Sequence, residues 1–241
     1  GLGGSENTCL ADFHQKFDKK NNPYPEKYQT LNPKSFRSFV DKSRKEETKF
    51  LKNYAREYTL SKEFVNYLQN KIDYTWANHL MKYPVYFEYL NQGTTQKYPS
   101  SYYDFLSEIP IQNQTALGNY EFVQFLDNYF AYLKQSLHIT DPSDLYDLVE
   151  RRLKGNVRYH TMARTLATAI DENYFEELKE EYKSLSRSLA FDNYHYLEAV
   201  QNKLKTVRAL KASQNLPNFK LDGLRSEEHT SELHHVAISY A

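Results

Sequence analysis

Cysteine is almost absent from this sequence of 241 residues, which contains one, Cys9. A single cysteine excludes an internal disulfide and leaves the redox compartment open. Glycine and proline are also scarce, with seven and eight residues, which argues against an all-β fold with many tight turns. No apolar run approaches the ~20 residues of a transmembrane helix, and no stretch has the pattern of a signal peptide. The net charge is zero, which gives no indication of a nucleic-acid or membrane-surface partner.

Aromatic residues are abundant, with 22 tyrosines and 14 phenylalanines, and the apolar positions recur with helical periodicity. The clearest row has one apolar residue in every four and predicts a helix that packs against other helices: Phe64, Leu68, Ile72, Trp76 and Leu80. Three positions predict helix starts, because each is a favourable N-cap residue: Asn32 before Pro33, Ser61, and Asp141 before Pro142. The Tyr83-Pro84 pair predicts that the long helix ends or kinks there.

The predicted fold is all-α from residue 1 to about residue 212. Connections of only a few residues join the later helices, which makes neighbouring helices antiparallel. The sequence therefore predicts helical hairpins that pack as a bundle or as an irregular solenoid. No fixed repeat is found in the spacing of the apolar residues.

No catalytic constellation is visible in the sequence, and no cofactor or metal site is predicted. The histidines are scattered without metal-ligand spacing, and each is interpreted as a surface or capping residue: His14, His79, His138, His160 and His195. Aromatic residues concentrate around the loop after Pro84, and a binding surface is predicted at Tyr98, Tyr102, Tyr103 and Phe105. Tyrosine suits such a surface because its ring is rigid and apolar and carries a hydroxyl. The alternative is that these rings fill the core.

The pattern changes at Leu216–Leu224. Leu216, Phe219 and Leu221 alternate with polar residues, and Asp222-Gly223 follows as a turn. This alternation predicts a short β-strand at 216–221 that opens a new domain at 213–224.

Residues Pro217, Phe219, Leu221 and Gly223 resemble the first-strand phrase of thioredoxin-like domains of the TlpA/ResA type. The Gly4–Leu10 phrase and the Tyr74–Pro84 segment are similar to the helical region that precedes such domains in envelope proteins. The resemblance implies a helical accessory region of a thiol–disulfide oxidoreductase in the periplasm or cell envelope, with disulfide-bearing envelope proteins as partners.

The chemistry of that family needs a Cys-x-x-Cys motif with a thiolate at a helix N-terminus. By the resemblance, this motif would lie about 30 residues beyond Gly223, so the chain itself is predicted to be inactive. Cys9 has no partner thiol and is interpreted as a small apolar residue of a helix, buried and inert.

Residues 225–241 resemble the translation of a short-read sequencing adapter, so they are predicted to be unstructured and are excluded from the fold prediction. A weaker alternative treats His229, Glu232, His234 and His235 as a metal cluster, although no fixed second shell supports it. For the whole chain, the alternative function is a helical module that binds a peptide or glycan through an aromatic surface.

Overall fold

The computed structural model describes residues 2–17, 22–188 and 195–214, and within these ranges the fold is all-α, as predicted. The α-helices are α1 Leu2–Phe17, α2 Tyr24–Thr30, α3 Pro33–Glu57, α4 Lys62–Leu90, α5 Tyr120–Ser136, α6 Pro142–Arg152, α7 Gly155–Asp171, α8 Lys179–Ser188 and α9 His195–Gln214. Shorter 3₁₀ segments cover Ser100–Glu108, Gln114–Ala116 and Phe175–Leu178. The predicted strand at 216–221, the domain start at 213–224 and the adapter-like stretch 225–241 lie wholly or largely outside the described residues.

The three helix starts predicted from capping residues are confirmed. The Asn32 side chain accepts a hydrogen bond from the Ser35 N–H at 2.9 Å. The Ser61 hydroxyl accepts one from the Phe64 N–H at 3.1 Å, and α6 begins in the same way, with Asp141 bound to the Ser143 N–H at 2.9 Å. Each cap provides a partner for an N–H that has none inside the helix, so these starts are encoded locally.

Helix α4 is the central element of the first half of the chain and packs against α2, α3 and α5. Its apolar row connects two buried clusters, since Leu68 and Ile72 lie in a smaller cluster with Cys9, while Trp76 and Leu80 lie in the larger one. The second half is built around α7, which packs against α6 and α9. The larger cluster continues through these helices, so the described residues form a helical bundle.

Pro84 does not end α4, which runs six residues further to Leu90. The prediction that the helix ends at Tyr83-Pro84 is therefore wrong, and the alternative of a kink there stays a prediction. A proline inside a helix has no N–H for the carbonyl four residues earlier, which here is Leu80. In the structure the Tyr102 hydroxyl donates to that Leu80 carbonyl oxygen at 2.9 Å, in a buried position. Tyr102 thus supplies the hydrogen bond that Pro84 removes, and this contact allows the helix to continue.

Replacing Tyr102 with phenylalanine should lower the free energy of unfolding by about 1–3 kcal/mol, because the buried Leu80 carbonyl then has no donor. In a Pro84→Ala background the same replacement should cost less than half as much, since the backbone at position 84 then carries an N–H that can donate to Leu80. Urea denaturation of the four proteins in this double-mutant cycle measures the difference. An equal cost in both backgrounds would contradict the substitute role of the hydroxyl.

Candidate functional site

The four predicted binding residues fall into two classes. Tyr102 is 6% exposed and Phe105 is fully buried, whereas Tyr98 and Tyr103 are partly buried and pack against the same core. The Phe105 ring lies edge-on to Trp76 at 5.6 Å between centroids. Enclosed rings of this kind have no free face for a ligand, so the burial of Tyr102 and Phe105 favours the core-packing alternative at these two positions.

A different group of tyrosines surrounds an open cavity of about 440 Å³ between α2, α4 and the start of α5. We call it the tyrosine pocket. Its aromatic and charged lining residues are Tyr24, Tyr28, His79, Lys82, Tyr86, Tyr89, Tyr120 and Glu121. Tyr86 and Tyr89 belong to the aromatic-rich segment that the sequence indicated, but the other lining residues come from helices on either side of it.

The inner wall of the tyrosine pocket is a set of stacked rings. The Tyr24 ring lies parallel to the His79 ring, with 3.5 Å between their centroids. Tyr28 joins its hydroxyl to Nδ1 of His79 at 2.7 Å, and its ring stacks on Tyr86 at 4.9 Å. Because each ring is held by another, the wall is preorganised for the flat face of a ligand.

Helical spacing brings these residues together. On α2, Tyr24 and Tyr28 are four residues apart and therefore lie on one face. On α4, His79, Lys82 and Tyr86 follow the i, i+3, i+7 pattern of a single stripe. This stripe is visible in the sequence, whereas the sequence analysis did not predict the short helix α2 that covers it.

His79 is a pocket residue and not the surface or capping residue expected from the sequence. Burial, with a smaller contribution from the charge of Lys82, lowers the pKa of His79 to about 3. The imidazole is therefore neutral at physiological pH. A neutral ring can stack on Tyr24 and bond to Tyr28 without the cost of burying a charge.

Lys82 places a positive charge in the tyrosine pocket. Burial lowers the pKa of its ammonium group, and the described residues give it no ion-pair partner within 4 Å. The Glu121 carboxylate, which also lines the pocket, instead binds the Lys71 ammonium at 2.7 Å. Because no described carboxylate pairs with it, the Lys82 ammonium group could form a charge-assisted hydrogen bond with an anionic group of a ligand.

Two exposed rings border the tyrosine pocket. Tyr89 is 78% exposed and Tyr120 is 71% exposed, and Gln124 donates its amide to the Tyr120 hydroxyl at 3.1 Å. Single exposed aromatics are ordinary on a protein surface. Here they adjoin a concave wall of further tyrosines, which is the arrangement of a binding site.

Cys9 is fully buried in the smaller core cluster, as the sequence predicted. Burial, with a smaller contribution from Asp12, raises the pKa of its thiol to about 11. The reactive species in thiol exchange is the thiolate, so Cys9 is a poor nucleophile at neutral pH. No group of three or more possible metal ligands occurs in the part of the chain that the structure describes.

Comparison with protein-family models, with curated proteins and with solved structures found no match to this chain. Among the described helices, none combines the length and apolar character needed to cross a membrane.

Proposed function

We propose that this chain is a helical binding module and that the tyrosine pocket is its ligand site. The observation that supports this most directly is the stacked wall of Tyr24, His79, Tyr28 and Tyr86 facing an open cavity. Its volume of about 440 Å³ lies within the range of small-ligand sites, about 300–1,000 Å³. Such a cavity suits a ring-sized group.

Between the two ligand classes that an aromatic surface suggests, the geometry favours a glycan over a peptide. An extended peptide needs a long groove for its alternate side chains, whereas the tyrosine pocket is a ring-sized cavity of about 440 Å³. Sugar rings present apolar faces to tyrosine and hydroxyls to neighbouring polar side chains, and the pocket lining includes Thr75 and Gln124. Among the described residues Lys82 has no ion-pair partner within 4 Å, which favours a sugar that carries a carboxylate.

Replacing Tyr120 with alanine should weaken glycan binding about fivefold or more, because losing an aromatic contact to a ligand commonly costs about 1 kcal/mol or more. The probes are neutral oligosaccharides, their uronic-acid counterparts and tyrosine-containing peptides, titrated by calorimetry. Tyr67→Ala is the matched control, since Tyr67 is partly exposed on α4 and does not line the pocket. Thermal unfolding should change little in Tyr120→Ala, because Tyr120 is 71% exposed.

Two results would reject the pocket as a glycan site. One is an absence of binding by every saccharide in the panel. The other is an equal loss of binding in Tyr67→Ala and Tyr120→Ala. Binding of the peptides alone would reject the glycan assignment and favour the peptide alternative.

We also propose, from the resemblance at Pro217, Phe219, Leu221 and Gly223, that the helices serve as the accessory region of a TlpA-like thiol–disulfide oxidoreductase of the cell envelope. These four residues lie outside the described part of the structure, so the sequence alone supports this proposal. In such a protein the helices would select or position a disulfide-bearing partner for the thioredoxin-like domain. The buried, high-pKa thiol of Cys9 is consistent with catalysis by cysteines elsewhere.

The chromosomal sequence beyond Gly223 tests the accessory proposal. We expect a strand, a Cys-x-x-Cys and a helix within roughly the next 50 residues, and their absence would reject it. The same sequencing tests the adapter interpretation, which fails if residues 225–241 are encoded without interruption. The 241-residue polypeptide itself should not reduce insulin disulfides.

A further inference from the structure

A second concave surface is an open groove of about 840 Å³ between α3 and α4, bordered by the end of the 3₁₀ segment Ser100–Glu108. We call it the cationic groove. Its lining contains six positive side chains, Arg37, Arg44, Lys45, Lys49, Lys52 and Arg56, and three carboxylates, Asp41, Asp73 and Glu108. The chain as a whole has no net charge, so this is a local excess.

Each of the three carboxylates forms an ion pair with Arg37 or with Arg44. The Nε of Arg37 lies 2.9 Å from Asp41, and its Nη2 lies 3.0 Å from Glu108. The Nε of Arg44 lies 2.7 Å from Asp73. These pairs neutralise one end of the groove, and no carboxylate in the lining remains for the other cations.

Trp76 fixes the two arginines in place. Their guanidinium carbons lie 4.9 Å (Arg37) and 4.0 Å (Arg44) from the centre of its ring. The indole N–H donates to Asp41 at 2.7 Å. Cation–π contacts and charge-assisted hydrogen bonds thus hold both guanidinium groups in fixed positions at one end of the groove.

The other four cations form a stripe along α3. Lys45, Lys49, Lys52 and Arg56 are spaced at i, i+4, i+7 and i+11, so they share one helix face. All four are exposed, and within the described ranges none has a carboxylate within ion-pair distance. At 1.5 Å per residue, the stripe is about 16 Å long, with steps of roughly 4.5–6 Å.

We propose that the cationic groove binds an acidic peptide segment in an extended conformation. Alternate side chains of an extended chain point the same way and lie about 6.6 Å apart, close to the spacing of the cations. A segment of about five to seven residues with acidic side chains at alternate positions therefore matches the stripe. Single-stranded nucleic acid fits less well, because the groove lining contains no aromatic ring on which a base could stack.

This inference is independent of the tyrosine pocket, which shares no lining residue with the groove. The segment that occupies the groove would belong to a partner protein with an acidic, unstructured stretch. Binding between such charges should be weak to moderate and strongly sensitive to salt.

The test uses the full chain and a synthetic eight-residue peptide of alternating glutamate and serine, with a glutamine version as the neutral probe. We expect the glutamate peptide to bind in 20 mM salt, to weaken at least about fivefold in 300 mM salt, and the glutamine peptide not to bind. Lys49→Glu/Lys52→Glu should weaken binding about tenfold or more, because two attractive charges become repulsive. Fluorescence anisotropy measures these affinities.

The control is Lys62→Glu/Lys205→Glu, which makes the same change in net charge at exposed lysines outside the groove. It should bind the peptide nearly as well as the unchanged protein. Lys49→Gln/Lys52→Gln provides a milder version if the charge-reversed variant does not fold, as judged by circular dichroism.

Three results would overturn the proposal: no binding of the glutamate peptide, an equal loss in the groove and control variants, or tighter binding of oligo-dT or of anionic vesicles than of the peptide. The Tyr120→Ala variant should bind the peptide normally, so failure at the tyrosine pocket and failure at the groove are distinguishable.

Discussion

Replacing Phe105 with alanine should lower the free energy of unfolding by about 3–5 kcal/mol, the range for truncating a fully enclosed aromatic side chain. Phe105 has no exposed surface, and its ring is in edge-on contact with Trp76 and next to Tyr102 and Tyr103. Alanine leaves a cavity in the larger core cluster that the surrounding rings fill only in part. Because many domains are stable by only about 5–15 kcal/mol, this change should unfold a measurable fraction of the protein.

Guanidinium denaturation of F105A and of Tyr89→Ala provides the comparison. Tyr89 is 78% exposed, so its truncation should change the unfolding midpoint very little. The pair also separates two interpretations of the aromatic-rich segment. If Phe105 were a ligand-binding residue and not a core residue, F105A would remain as stable as the unchanged protein and would lose only ligand affinity.

Acidification should destabilise the protein through His79. The pKa of His79 is lowered to about 3 in the folded state, against an ordinary value near 6.5 in the unfolded chain. Between these two values the unfolded state binds a proton that the folded state does not bind. The free energy of unfolding therefore rises with pH up to about pH 6.5, and above that pH His79 no longer lowers it. One such group changes the unfolding equilibrium by up to about tenfold per pH unit.

Carboxylates also titrate in this range, so the expected result is a difference between two proteins. Stability should fall less steeply from about pH 6.5 to about pH 4 in His79→Gln than in the unchanged chain, although glutamine lowers the stability at neutral pH. Urea midpoints at half-unit pH steps, with an NMR titration of the His79 ring, measure both quantities. Parallel pH profiles for the two proteins would show that His79 is not held neutral by its surroundings.

The locally encoded features of the fold were predictable. The caps at Asn32, Ser61 and Asp141 act on N–H groups two or three residues away, and an N-cap interaction depends on little else. The apolar row of α4 was also predictable, because residues four apart are neighbours on the surface of a helix whatever packs against it.

The path of α4 past Pro84 was not predictable from local rules. The Tyr83-Pro84 pair taken alone predicts an end or a kink. The helix runs on to Leu90, and the Leu80 carbonyl accepts a hydrogen bond from the hydroxyl of Tyr102, 22 residues away. Local rules also do not decide whether Tyr102 and Phe105 bind a ligand or pack in the core. Aromatic composition does not distinguish a surface ring from a buried one, since both need the same residue types.

The sequence by itself determined the helical class and the three helix starts, because each depends on contacts or periodicity within a few residues. Only the tertiary structure decided which aromatic rings form a cavity, that His79 contacts both Tyr24 and Tyr28, and that the cations of α3 border a groove with its carboxylates already paired. These properties depend on the relative positions of α2, α3, α4 and α5. Those positions are set by side-chain packing between distant parts of the chain and have no local signature.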